Sequence, residues 1–159
     1  MKAEGNEFAA RGGWWVLAQA PVMLGTFAVP LVWGAASINS ANAIQFAGAA
    51  LVALGILLGV AGLLALGSAL TPFPRPLASA HLRRSGIYGW VRHPIYSGLI
   101  VASFGWSACW LSLPGLLSGA VVLLFFDRKS AFEESLLRSR FPEYRDYALR
   151  VRKLLPWIY

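Results

Sequence analysis

The chain has 159 residues, of which 57% are hydrophobic and only 13% are charged. A soluble domain usually has about twice that share of charged residues, so the composition excludes intrinsic disorder and argues against a soluble globule. Two stretches, residues 12–74 and 93–126, contain no Asp, Glu, Lys or Arg. Uncharged stretches of this length predict an integral membrane protein, with one domain over residues 1–159.

The first uncharged stretch predicts two membrane-spanning helices within residues 1–70. The first span covers about residues 14–36 and contains two prolines, which membrane helices tolerate where neighbouring helices satisfy the backbone. Its apolar stretch is longer than the core of a cleaved signal peptide, so we expect this helix to be retained. A polar, uncharged outer turn at residues 37–42 precedes the second span, which covers about residues 43–70.

The remainder, residues 71–159, is predicted to contain a loop, a helical hairpin and a final helix. Residues 71–92 contain Pro72, Pro74 and Pro76 followed by basic residues, which predicts a cytoplasmic loop at the membrane surface.

The second uncharged stretch is too long for one ordinary span and is interrupted by the sequence Ser-Leu-Pro-Gly at residues 112–115. It therefore predicts two short spans, about residues 95–111 and 115–132, joined by a tight outer turn. A basic amphipathic helix is expected over about residues 133–151, on the cytoplasmic side. The predicted fold class is all-α, an integral membrane bundle of four transmembrane helices.

The positions of the basic residues predict the orientation. All 14 Lys and Arg fall in three groups, at residues 2–11, 75–92 and 128–153, and the predicted outer turns contain none. This positive-inside pattern places both termini in the cytoplasm. A net charge of +7 and a pI near 10.2 would also suit a nucleic-acid-binding protein. Because the topology explains the distribution of charge, no nucleic-acid partner is predicted.

Small residues recur along the predicted spans. Gly48, Gly55, Gly59 and Gly62 lie on roughly one face of the second span. Such stripes let helix backbones approach closely, and packing within the chain is the favoured interpretation. A dimer seam or a groove for a lipid tail would use the same pattern, and the sequence carries no prediction of oligomeric state.

Residues suited to polar chemistry lie at the inner ends of the third and fourth spans. If the hairpin turns near residue 113, His93 and Glu133 are each 20 residues from the turn. At a rise of about 1.5 Å per residue, both lie about 30 Å from it, so they are predicted to meet at the inner membrane face. Residues 12–126 contain no Asp or Glu, which argues against an ion-coupled transporter.

This predicted cluster suits a ligand that carries both charges. Arg92, His93 and the free N–H groups of a helix begun by Pro94 can hold a carboxylate. Glu133 and Glu134 can accept hydrogen bonds from an ammonium group or from ribose hydroxyls. Aromatic side chains that can pack on a flat ring are Tyr88, Trp90 and Tyr96. The same residues could instead form interfacial anchors and a surface ion-pair cluster, and spacing alone does not separate these alternatives.

Residues 92–98, Arg-His-Pro-Ile-Tyr-Ser-Gly, resemble the Arg-His-Pro-x-Tyr-x-Gly signature of the isoprenylcysteine carboxyl methyltransferase family. Its members are membrane enzymes that use S-adenosylmethionine and are related to phosphatidylethanolamine N-methyltransferases. Residues 81–88 resemble the family's upstream element, and Glu133 and Glu134 match its downstream Glu-Glu pair. The resemblance covers about residues 71–158. The C-terminal element is similar at Phe141, Tyr144, Tyr147, Val151 and Pro156.

The resemblance implies S-adenosylmethionine as the cofactor, no metal, and a lipid-like or prenylated acceptor that enters from the bilayer. A basic residue one helical turn before the first Glu contacts the acceptor carboxylate in these enzymes, and here that residue is Lys129 instead of Arg. The implied catalytic residues are Glu133, Lys129 and its neighbour Arg128. The implied cofactor-binding residues are His81, Leu82, Arg83, Tyr88, Arg92, His93, Pro94, Ile95, Tyr96, Glu133 and Glu134.

We therefore expect a membrane methyltransferase most like protein-S-isoprenylcysteine carboxyl O-methyltransferase. A phospholipid amine, or a small thiol or amine, remains an alternative acceptor, although Lys129 and Arg128 favour an anion. An amine acceptor would need a general base, for which Glu133 and Glu134 are the candidates. Outside the enzymes, the alternative is a membrane partner protein that retains the fold, which the intact motif disfavours.

Overall fold

A computed structural model of the chain describes residues 8–36, 42–77, 81–156 and 159. Within these ranges the structure is helical and has no strand, which confirms the all-α prediction. The predicted outer turn falls mostly on residues 37–41, which lie outside the described ranges. From residue 13 onward, the α-helices in chain order are α1 (Gly13–Trp33), α2 (Ala43–Leu66), α3 (Pro94–Cys109), α4 (Leu113–Arg140) and α5 (Tyr144–Arg150). Short 3-10 turns occupy Gly67–Ala69 and Gly86–Gly89.

Two segments, Gly13–Trp33 and Ala43–Ala69, are long and apolar enough to cross a membrane. Their side chains are mostly uncovered by the rest of the chain, and Leu24 and Leu64 are 72% and 78% exposed. A protein in water would bury so much contiguous apolar surface, whereas lipid accepts it. The predicted first and second spans are therefore confirmed as apolar helices of spanning length in a membrane protein.

The start of α2 is set by its first residues. The Asn42 side chain accepts hydrogen bonds from the backbone N–H groups of Ile44 and Gln45, while the Gln45 side chain accepts one from Asn42 N at 3.1 Å. This reciprocal capping satisfies N–H groups that have no partner within the helix. It explains why α2 begins at Ala43, where the sequence predicted.

Helices α2 and α3 pack backbone against backbone. A Cβ atom added at Gly55 would lie 2.5 Å from the carbonyl oxygen of Gly98, and one added at Gly48 would lie 2.7 Å from that of Gly105. Neither position has room for a larger residue, so the glycine stripe of α2 serves packing within the chain. That confirms the favoured interpretation of the stripe.

A tight turn joins α3 and α4 into the predicted hairpin. Leu111 reverses the chain with a φ of 49°, in the left-handed region that non-glycine residues seldom adopt. The Ser112 hydroxyl then accepts a hydrogen bond from Gly115 N at 3.1 Å, and Pro114 occupies the first turn of α4.

The C-terminal part differs from the sequence prediction. Helix α4 does not end near residue 132 but continues without a break to Arg140, and α5 is a separate helix of 7 residues. Residues 133–151 therefore do not form one helix. The helix ends where Pro142 disfavours the helical conformation of Phe141, whose backbone is extended. Charged residues after Asp127 change the surface of α4 without interrupting its backbone.

After α5, residues 151–154 return to the start of α3; we call this segment the C-terminal strap. Arg92 N donates to the Arg152 carbonyl at 2.8 Å, and His93 N donates to the Lys153 carbonyl at 3.2 Å. Leu154 is fully buried, in a core that also contains Ile100 and Phe126. The strap therefore fixes the backbone from which the His93 side chain projects.

Candidate active site

A cavity of about 220 Å³ lies where α2 ends and α3 begins, bordered by the loop before α3 and by α4. Its wall combines apolar residues with a small number of polar groups, as is usual for small-molecule sites. The predicted site residues that line it are His81, Leu82, Arg83, Tyr88, Arg92, His93, Ile95, Tyr96, Lys129 and Glu133. Further lining residues include Gln19, Leu63, Leu66, Pro72, Leu99, Leu137, Phe141, Tyr144 and Tyr147.

The hairpin brings the His-Pro motif and the Glu-Glu pair together, as predicted. The Tyr96 hydroxyl donates to Glu133 Oε2 at 2.8 Å, and His93 Nδ1 lies 3.9 Å from the same oxygen. The His93 and Tyr96 rings are stacked with centroids 5.4 Å apart, and Tyr96 stacks in turn on Phe126. Glu133 is thus held at the cavity wall by residues about 40 positions earlier in the chain.

Glu134 faces away from the cavity and forms a buried ionic cluster. Its Oε1 lies 2.8 Å from Arg92 Nε and 3.1 Å from His93 Nε2, and its Oε2 lies 3.2 Å from the Arg138 guanidinium. Burial disfavours the charged carboxylate, but hydrogen bonds and charges from His93 and Arg92 outweigh it and lower the pKa of Glu134 to about 2. Glu134 therefore anchors the His93 ring from behind.

The Arg92 guanidinium is committed to the protein itself. Besides Glu134, it donates to the carbonyl oxygens of Ala148 and Val151. These contacts join the loop before α3 to α5 and to the start of the C-terminal strap. Arg92 thus borders the cavity, but its hydrogen bonds to Glu134, Ala148 and Val151 hold parts of the protein together.

Tyr88 and two tyrosines of α5 form an aromatic wall. Tyr147 donates its hydroxyl to the Tyr88 carbonyl at 2.6 Å. Tyr144 is only 1% exposed, and its hydroxyl oxygen has no hydrogen-bond partner among the described residues. Burial, and then the charge of Glu133, raise the pKa of Tyr88, so its phenol stays neutral at physiological pH. Sequence reasoning assigned no site role to Tyr144 or Tyr147.

Lys129 is the buried cation of the cavity. The residue is only 2% exposed. Its Nζ donates to Gln19 Oε1 at 2.5 Å and to the Pro72 carbonyl at 3.4 Å. Nζ also lies 5.4 Å from the centroid of the Tyr96 ring. Sequence reasoning missed Gln19, because nothing in the pattern of α1 indicates which helix its one glutamine meets.

Three predicted residues lie outside the cavity lining. The side chain of Arg128 is 73% exposed and lies 3.7 Å from Asp127, so it does not stand beside Lys129 in the site as expected. Successive helical residues point about 100° apart, and only one of such a pair can face the cavity. The same geometry separates Glu133 from Glu134. Pro94 is buried in the first turn of α3, against Gly62 of α2.

No group of three or more His, Cys, Asp or Glu side chains able to hold a metal ion occurs in the described ranges. Residues His81, Leu82 and Arg83 line the cavity from the loop, with Leu82 partly covered and its two neighbours exposed.

Comparison with known proteins finds similarity over part of the chain. The profile of the family described as phospholipid methyltransferase matches residues 43–144. Methanethiol S-methyltransferase 1 of Bradyrhizobium diazoefficiens is 43% identical over 72 residues, which cover 45% of this chain and 25% of that protein. A probable protein-S-isoprenylcysteine O-methyltransferase of Oryza sativa subsp. indica is 35% identical over 75 residues, or 46% of this chain and 39% of that protein. Each match therefore spans less than half the length of the relative.

Proposed function

The chain belongs to the phospholipid methyltransferase family, and from this we propose that it is an S-adenosylmethionine-dependent membrane methyltransferase acting on a lipophilic acceptor. The observation that carries the proposal is that His93, Tyr96, Glu133 and Lys129 line one cavity. Two of these residues belong to the Arg-His-Pro-x-Tyr-x-Gly motif, and the other two lie one turn apart on α4. Interfacial anchors alone would not need to converge on a cavity.

The proposed topology has four membrane spans and both termini in the cytoplasm. Helix α3, with 16 residues, and the uncharged first half of α4 supply the two short spans after α1 and α2. The charged second half of α4 and the short α5 then lie at the cytoplasmic face. The three groups of basic residues support this orientation.

The residues at the cavity fit S-adenosylmethionine, which when bound supplies a methyl group from its sulfonium. Glu133 can accept hydrogen bonds from an ammonium group or from ribose hydroxyls, and the ring of Tyr88 can cover a flat base. The buried Tyr144 hydroxyl, without a partner among the described residues, is a donor available to a ligand.

The protein's part in such a reaction is alignment. Methyl transfer from a sulfonium is an in-line displacement that needs no covalent enzyme intermediate, so the side chains must position two ligands and exclude water. Tyr96 orients Glu133, Glu134 orients His93, and the C-terminal strap fixes the backbone of His93. The apolar side chains of Leu63, Leu66 and Leu99 exclude water from the membrane side.

Lys129 favours an anionic acceptor, and a carboxylate is the proposed one. A carboxylate is ionised near neutral pH and needs no base, whereas an amine needs a base and its ammonium form would be repelled by Lys129. The relatives named for isoprenylcysteine O-methylation support this assignment. A thiol is the second candidate, because the relative with 43% identity is named for methanethiol and a thiolate is also an anion.

The test is transfer of radiolabel from S-adenosylmethionine by the protein purified in detergent. Three acceptors are offered separately: N-acetyl-S-farnesyl-L-cysteine, phosphatidylethanolamine in vesicles, and methanethiol. We expect label in the prenylcysteine as a base-labile ester, and none with a Glu133→Ala variant. Label only in lipid or in thiol overturns the carboxylate assignment and retains the methyltransferase. No label in any acceptor, with no calorimetric binding of S-adenosylmethionine, overturns the proposed function.

A further inference from the structure

The first helix contributes a side chain to the acceptor site although it lies outside the family-matched region, residues 43–144. Lys129 Nζ of α4 donates a hydrogen bond to Gln19 Oε1 of α1 at 2.5 Å, although the two residues are 110 positions apart in the chain. We propose that Gln19 is a positioning residue that holds Lys129, a cation without a direct ion-pair partner among the described residues, for a negatively charged acceptor. This inference rests on the proposed function, for which it names the charge of the acceptor.

Gln19 is an unusual residue for its position. Apart from the tryptophan indoles, α1 contains two polar side chains, Gln19 and Thr26. The Thr26 hydroxyl donates to the Val22 carbonyl of its own helix at 2.8 Å and so is satisfied locally. Gln19 instead lines the cavity and reaches another helix. A polar side chain in a span is costly unless it is paired, so a contact across the bundle needs a reason.

The partners of Lys129 leave its charge available. An ammonium group has three N–H donors, and Gln19 Oε1 and the Pro72 carbonyl account for two. Both acceptors are neutral. No carboxylate lies within 4.0 Å of Nζ in the described part of the chain, and Glu133, one turn further along α4, accepts the hydrogen bond of Tyr96 instead. One donor therefore remains for a ligand, and no direct ion pair occupies the ammonium group.

A buried cation without a close anion is unfavourable, and a bound anion relieves that cost. A glutamate at position 19 would serve Lys129 equally well as a hydrogen-bond partner but would cancel the charge. A neutral glutamine both orients Nζ and leaves its charge in place. Substitutions at position 19 can test these two effects one at a time.

The test compares Gln19→Glu and Gln19→Leu with the matched control Thr26→Val, which removes the other polar group of α1. The full chain is purified in detergent, and equilibrium binding is measured for N-acetyl-S-farnesyl-L-cysteine and for its uncharged methyl ester. We expect the unsubstituted protein and Thr26→Val to bind the acid about tenfold more tightly than the ester, as one charge-assisted contact allows. Gln19→Glu should abolish this preference without lowering Tm, and Gln19→Leu should reduce it.

Kinetics provide a second readout that a merely structural role would not move. Gln19→Glu should raise KM for the acid about tenfold, as expected for one lost charge-assisted contact, with KM for S-adenosylmethionine unchanged. Equal binding of acid and ester by the unsubstituted protein, or no binding of either, overturns the inference. So does an acid preference that survives in Gln19→Glu. An acid preference lost in Gln19→Glu, in a protein that transfers no label, supports the anion site while the proposed function fails.

Discussion

His93 Nε2 lies 3.1 Å from Glu134 Oε1, and this buried contact couples the cavity to the ionic cluster behind it. The opposite nitrogen of the same ring, Nδ1, lies 3.9 Å from Glu133. One imidazole thus bridges two consecutive glutamates that point to different sides of α4. Glu134 also binds Arg92. The position of His93 therefore depends on a carboxylate that faces away from the cavity.

Replacement of Glu134 by Gln should reduce stability in a pH-dependent way. The pKa of this carboxyl is lowered from 4.5 to about 2, so its ionised form stabilises the fold fully above about pH 4.5. The contribution is lost as pH falls from 4.5 towards 2 and amounts to about 3 kcal/mol at neutral pH. Thermal unfolding in detergent from pH 7 to pH 3 should show the difference in Tm between the two proteins shrinking as the solution is acidified. A difference that is constant across this range would contradict the assignment.

Replacement of either His93 or Glu133 by Ala should abolish cofactor binding or turnover. Both side chains line the cavity, and loss of alignment by about 1 Å is enough to cost about 100-fold in rate. Calorimetric titration of the detergent-purified variants with S-adenosylmethionine measures the first effect, and label transfer measures the second. Ser118→Ala is the control, because that hydroxyl donates only to the Gly115 carbonyl of its own helix. Normal binding and turnover in both variants would show that the cavity is not the cofactor site.

Tyr144→Phe and Tyr147→Phe form a matched pair that should behave oppositely. The Tyr147 hydroxyl bonds the Tyr88 carbonyl at 2.6 Å, so its removal should lower stability by about 1 kcal/mol. The buried Tyr144 hydroxyl has no partner in the described part of the chain, so its removal should leave stability unchanged or higher. If that hydroxyl contacts the cofactor, Tyr144→Phe should weaken S-adenosylmethionine binding severalfold. Equal loss of Tm in the two variants, with unchanged binding by Tyr144→Phe, would refute the proposed contact.

The meeting of His93 and Glu133 was predictable because the rise of a helix is constant. Once the turn near residue 113 is recognised, distances along both helices follow from counting. The contact between Gln19 and Lys129 was not predictable in this way, since it depends on how α1 packs against α4. Periodicity and spacing carry no information about that packing.

Two further differences between the predicted and the observed structure also have local causes. The sequence predicts Arg92 as a cation in a surface loop. Its hydrogen-bond partners at Ala148 and Val151 are backbone carbonyl groups, and a pattern of side chains does not predict such contacts. The continuity of α4 was missed because a change from apolar to charged residues, as near Asp127, alters the surface of a helix and not its backbone. Helix α4 ends where Pro142 disfavours the helical conformation of the residue before it.

Packing of α2 against α3 should tolerate an added methyl group at one glycine and not at another in the same helix. A Cβ atom at Gly55 would lie 2.5 Å from the Gly98 carbonyl oxygen, whereas one at Gly59 would meet nothing within 4 Å. Gly55→Ala must therefore separate two backbones, and we expect a loss of about 1–3 kcal/mol and weaker cofactor binding, because α3 carries Tyr96. Gly59→Ala should be neutral or slightly stabilising, since alanine favours the helix.

Thermal unfolding in detergent and calorimetric titration with S-adenosylmethionine measure both glycine variants under the same conditions. If Gly55→Ala matched Gly59→Ala in both, α2 and α3 would not be in backbone contact. A dimer seam or a groove for a lipid tail would then have to explain the glycine stripe, because no helix of the same chain would pack against it. If only Gly55→Ala loses Tm and cofactor affinity together, the close approach of the two helices also shapes the cavity at their end.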